Sequence, residues 1–154
     1  MSLSPEKDEE SRWHRLFQGT MLAIPCAARW IGSIAADLKL TESRAFAMQI
    51  CLEELMSNIV RHGNAPSDSR AHTDPAKPLS ISITVAAHAD RITLTVEDDG
   101  RPFNVAEAPA KWIDQPLEKL EPGGLGVQLI KTFANGLEYC STAKGNRVTV
   151  EFRD

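Results

Sequence analysis

The chain predicts a two-layer α/β sandwich, with helices packed on one face of a mixed, mostly antiparallel sheet. Two observations predict it. Stretches of alternating and of helical apolar spacing follow the order β-α-α-β-β-loop-α-β-β, which partly segregates helices from strands. The 154 residues suit one domain and suffice to bury a sizeable core.

Residues 1–14 are polar and charged and read as a flexible lead-in, leaving 15–154 as the domain. A first strand is expected over residues 15–25, "RLFQGTMLAIP", stopping at Pro25. Ala27, Trp30, Ile31, Ile34, Ala35 and Leu38 recur at helical spacing, so a helix is expected from Cys26 to Leu38. Thr41 ahead of Glu42 and Ser43 suits an N-cap. Met48, Leu52, Leu55 and Ile59 step by four, three and four, and form the buried stripe of a second helix from Glu42 to His62. Gly63 suits a left-handed C-cap, and Pro66 prevents continuation. A polar loop fills residues 64–78. "LSISITVAA" and "RITLTVED" alternate apolar and polar residues and form a hairpin across "HAD". An irregular stretch with four prolines leads to the helix "LGVQLIKTFAN", closed by Asn135-Gly136, and a last hairpin turns at Gly145-Asn146.

The totals exclude several function classes. A net charge of -4 gives no general affinity for nucleic acid or an anionic membrane. No apolar run approaches the roughly 20 residues of a bilayer span, and the N-terminus lacks a signal-peptide core. A cytoplasmic protein is therefore expected. Cys26, Cys51 and Cys140 are odd in number and lack a CxxC spacing, so they read as buried free thiols.

Three stretches can carry chemistry. Glu54 and Asn58 lie one helical turn apart, outside the apolar stripe, so both reach one site. Asn is a poor mid-helix residue, and its amide oxygen is a hard ligand suited to Mg²⁺. A carboxylate one turn away can accept a hydroxyl proton. In "VEDDGRPFN", residues 96–104, a strand ends in Asp98-Asp99-Gly100. A carboxylate there can bind an amine-bearing flat group, and glycine lets backbone approach it. In "GGLGVQLIK", residues 123–131, three glycines open a helix whose bare amides suit phosphate. It is neither a Walker A loop nor a dinucleotide fingerprint. Taken singly, each stretch also fits a bland reading: a solvated helix flank, an Asp-Gly turn, a flexible loop.

The order of these stretches resembles the N, G1 and G2 boxes of the GHKL ATPase superfamily. With "EELMSNIVRHG", "EDDGRPFN" and "GGLGVQLIK" in a chain of this size, the sequence looks like a bacterial anti-sigma factor serine/threonine kinase. The resemblance covers residues 15–153 and implies the histidine-kinase-like ATPase (Bergerat) fold. It implies that Asn58 binds Mg²⁺, that Glu54 is the general base, and that Asp98 with Gly100 binds adenine. Glu53 points elsewhere around the helix and is the weaker base. Gly124, Leu125, Gly126 and Val127 would close on the phosphates of ATP, and Arg61 and His62 sit on the triphosphate side. Pro102 replaces the second glycine of the usual Asp-x-Gly-x-Gly, and the lid from Phe103 to Gly123 is short.

The implied activity is phosphorylation of an anti-sigma factor antagonist of the STAS type, regulating transcription by partner switching. A sigma factor is a second implied partner, and a homodimer is one assembly the resemblance allows. The alternative is a non-catalytic, ATP-dependent protein-binding module. A detached histidine-kinase module would need a phospho-acceptor helix pair, and His14 lies in the lead-in.

Overall fold

The computed structural model describes residues 10–63, 79–101 and 126–153. Along them run β1 (Ser11–Gln18), α1 (Ala23–Asp37), α2 (Glu42–His62), β2 (Ser80–Ala87), β3 (Arg91–Asp98), α3 (Gly126–Phe133), β4 (Gly136–Thr142) and β5 (Gly145–Arg153). The strands form one sheet in the order β1-β2-β3-β5-β4, and every described pairing is antiparallel. The hairpins β2–β3 and β4–β5 arise as the alternation predicts, and β5 then lies against β3, pairing Asp98 with Asn146.

The alternation decides which face of the sheet is covered. Ile81, Ile83, Val85, Leu94, Val96, Val150 and Phe152 are buried, while Ser82, Thr84, Thr95 and Thr149 between them are half-exposed. Against the apolar face lies α2, through Met48, Cys51, Leu52, Leu55 and Met56, with α1 adding Ala27, Ile31 and Ile34. Each large side chain so buried contributes about 1.5–3 kcal/mol. The stripe Met48, Leu52, Leu55 that set the helix in register thus supplies the centre of the core. Thr41 caps α2, its side chain accepting from the Arg44 amide. No described helix is long and apolar enough to cross a membrane.

Three local expectations change. The first strand is displaced toward the N-terminus: β1 begins at Ser11, inside the segment expected as lead-in, and pairs with β2 from Ser11↔Ala87 to Gln18↔Ser80. Trp13 and Phe17 point to the core, and Phe17 meets Trp30 of α1 edge to face at 5.8 Å. Pro25 does not end a strand but sits in the first turn of α1, where its missing N–H costs no helical bond. Gly63 caps α2 in right-handed rather than left-handed geometry, with φ -64°. Glycine is needed there for space, because a Cβ would overlap Leu79 and the Ile59 carbonyl oxygen. Of the cysteines, only Cys51 is buried; Cys26 and Cys140 are exposed, because they fall on outward positions of α1 and β4. Burial, and then the charge of Glu54, push the Cys51 thiol up to about 12, so it is unreactive.

The left-handed cap belongs instead to α1. Lys39, at φ 54°, follows the helix, with its amide bonded to the Ala36 carbonyl and the Leu40 amide to that of Ala35. A Cβ is disfavoured in this conformation. Lys39→Gly should stabilise the fold by about 0.5–1 kcal/mol after glycine's greater unfolded freedom is offset. Thermal unfolding would show a rise of about 1–4 °C.

Candidate functional site

Three elements converge at one end of the sheet. The C-terminal half of α2 brings Asn58, Ile59, His62 and Gly63; the end of β3 brings Val96 and Asp98; the start of β5 brings Asn146 and Val148. With Leu55 and Arg101 they line a pocket that opens to solvent. Its walls are Leu55, Ile59, Val96 and Val148, and its polar groups are few, as in small-molecule sites generally.

The end of α2 and the end of β3 are tied together. The Arg101 amide donates to the Gly63 carbonyl at 3.3 Å, and Arg101 Nε to the His62 carbonyl at 2.8 Å. A Cβ on Gly100 would lie 3.0 Å from the Gly63 Cα. The backbone that Gly100 admits is therefore that of Gly63, so the two glycines of separate motifs meet back to back.

Asp98 and Asp99 are distinguished by their partners. Asp99 Oδ1 accepts from the Ser80 amide at 2.8 Å and holds the start of β2. Asp98 faces the pocket. Its Oδ1 accepts from the Gly100 amide at 2.9 Å and from Asn146 Nδ2 at 3.1 Å. Burial pushes its carboxyl above the ordinary value, the Asn146 and Gly100 bonds pull it down, and the charge of Asp99 pushes it up. Gly145, at φ 155°, lets β5 start this close, because a Cβ would overlap the Asp98 carbonyl oxygen. Gly145→Ala should destabilise by about 1–3 kcal/mol, read as a lower denaturation midpoint.

On α2 the expected pair separates by environment. Asn58 is 4% exposed and lines the pocket. Its Nδ2 is buried without a hydrogen-bond partner among the described residues, and so is Glu54 Oε2. Leaving a buried polar group unpaired costs about 1–3 kcal/mol. Glu54 stands about 6 Å from Asn58 along the helix axis and does not line the pocket. Burial raises its carboxyl, the charge of Arg61 opposes this, and that of Glu53 adds to it. Glu53 itself is exposed. Arg61 is exposed and donates to Ser57 Oγ, whereas His62 lines the pocket.

Gly126 and Val127 open α3, so their amides lie in the first helical turn, which lacks intrahelical acceptors. Gly124 and Leu125, with the expected lid and the loop 64–78, lie outside the described residues. Sequence reasoning missed Asn146, Tyr139 and Arg101. Asn146 read as a turn residue, yet it pairs within β5 and is 4% exposed. Asn is depleted in strands, and an Asn inside "GNRVTVEF" was the available signal.

The arrangement joins four apolar walls, a carboxylate with one oxygen unbonded among the described residues, and a buried amide with a second carboxylate one turn away on α2. Residues 19–152 match the family described as the histidine kinase-like ATPase domain. The chain is 24% identical over 124 residues to a serine/threonine-protein kinase, BtrW, of Bordetella bronchiseptica, covering 80% of this chain and 81% of that protein. It is 26% identical over 133 residues to a serine-protein kinase, RsbW, of Bacillus mycoides, covering 79% and 77%. A solved structure of RsbU and RsbW domains from Mycobacterium tuberculosis superposes with a TM-score of 0.63 at 16% identity. It covers 93% of this chain, which spans about a third (32%) of that larger one. The antiparallel sheet, the helices on one face and the match across 19–152 place the chain plainly: it belongs to the histidine kinase-like ATPase domain family.

Proposed function

We propose that the chain is an ATP-dependent protein serine/threonine kinase that phosphorylates an anti-sigma factor antagonist and regulates transcription by partner switching. The observation that carries this reading is the α2 edge, where Glu54 and Asn58 each bury a polar atom with no partner among the described residues. Two relatives named as kinases, each matched over about four-fifths of this chain, support it.

In this reading Asp98 accepts the adenine amine, and Leu55, Ile59, Val96 and Val148 sandwich the ring. Asn58 would hold Mg²⁺, which when bound neutralises phosphate charge. The amides of Gly124, Leu125, Gly126 and Val127 would donate to the phosphates. Glu54 takes the proton of the partner's serine or threonine hydroxyl, and its burial makes it a stronger base than an ordinary Glu. Positioning and electrostatics supply most of the rate. The phosphate adds roughly -1.5 to -2 charge to the antagonist and weakens its docking, which frees this protein for a sigma factor.

Calorimetric titration with ATP and ADP, with and without Mg²⁺, tests the site. Transfer of γ-labelled phosphate to a STAS-type antagonist tests the reaction. Magnesium-dependent binding with label on a serine or threonine is expected. Tight ATP binding with no transfer would establish the non-catalytic binding module instead.

A further inference from the structure

Besides Asn58, the buried polar side chain among the described residues is Asn146, and its bonds are directional. Asn146 Nδ2 donates to the Arg101 carbonyl at 2.7 Å and to Asp98 Oδ1 at 3.1 Å. The two acceptors on that side match the two donors of the amide nitrogen. Asn146 Oδ1 must then point the other way, where it accepts from the Tyr139 hydroxyl at 2.6 Å. The Tyr139 proton is thereby committed to this bond. Gly100 also donates to Asp98 Oδ1, and no described bond falls on Oδ2. The carboxylate keeps one oxygen for a donor-bearing ligand.

We propose that Tyr139, acting through Asn146, is a positioning residue for base recognition. Its hydroxyl orients the amide so that Asp98 presents a free carboxylate oxygen to a purine amine. The same amide anchors the chain at Arg101, where it leaves the pocket. This assignment rests on the ATP-binding reading. Among the described residues, Asp99 adds a like charge to Asp98, and Arg101 and His62 line the same pocket; β5 contributes the neutral Asn146. The relay therefore supplies a side-chain donor that favours the charged form of Asp98 against the burial that opposes it.

The test compares wild type, Tyr139→Phe, Asn146→Leu and the double variant. Affinities are measured for ATP and for purine riboside triphosphate, which lacks the ring amine. The Asp98 carboxyl is titrated by carbon NMR without nucleotide, and thermal unfolding monitors the fold. Tyr139→Phe should weaken ATP by about 2- to 10-fold, the worth of one hydrogen bond. It should leave the amine-free analogue unchanged and move the Asp98 midpoint upward. In the Asn146→Leu background the Tyr139 change should be silent, because the coupling passes through the amide. Equal losses for both nucleotides, or an unmoved Asp98 midpoint, would overturn the relay. A wild type that binds no ATP would overturn the ATP-binding reading and the base-recognition role together, and a midpoint still moved by Tyr139→Phe would then show only the hydrogen-bond coupling.

Discussion

Asn58→Ala should weaken magnesium-dependent ATP binding by on the order of a hundredfold, the scale of losing support at a metal site. The residue is 4% exposed and lines the pocket, so no other side chain of α2 can take its place without a backbone shift. The fold should survive. Alanine leaves a small void, but it also removes a buried amide nitrogen that has no partner among the described residues. The two effects oppose each other, so the melting temperature should move little. Calorimetry with Mg²⁺ and with a chelator checks the claim. A variant whose ATP affinity still responds to Mg²⁺ as the wild type does would remove Asn58 from the metal site.

Glu54→Gln should separate binding from chemistry. Gln has the same shape but cannot take a proton, so phosphoryl transfer should fall by about 10²- to 10⁴-fold with ATP affinity nearly unchanged. Stability carries a second signature. Burial raises the Glu54 carboxyl above its ordinary 4.5, so the folded state binds this proton more tightly than the unfolded chain. Its charge therefore costs stability as pH rises through the folded value, and the cost vanishes below the ordinary value. At neutral pH the Gln variant should melt at or above wild type, and in acid the difference should close. Melting curves across the pH range, beside single-turnover transfer, read both effects. Transfer retained by the variant would exclude Glu54 as the base. A variant less stable at neutral pH but not in acid would contradict the electrostatic account.

The helices were legible because α2 has a repeating cause. Met48, Leu52 and Leu55 recur at helical steps whatever else surrounds them, and Thr41 caps the helix locally. The inner strands β2 and β3 were legible for the same reason at period two, as was β5 beside them. β1 was not. It is an edge strand with only Trp13 and Phe17 turned inward, so its pattern is thin and Pro25 misplaced its end. Gly63 and Gly100 were recognised as required, but the reason differs: each makes room for backbone or side chains from a distant segment.

By itself, the sequence determined most of the elements and their order, and it singled out Glu54, Asn58, Asp98 and Gly100 as candidates, because periodicity, caps and motif spacing are local properties of the chain. Only the tertiary structure decided how the two adjacent aspartates are held and why they differ. Asp99 is used up by the Ser80 amide, while Asp98 is met by Asn146 from β5, nearly fifty residues away. That contact exists because β5 pairs antiparallel with β3 and brings Asn146 opposite Asp98. Register between distant strands is set by which apolar faces can be buried together, and no local pattern around either residue encodes it.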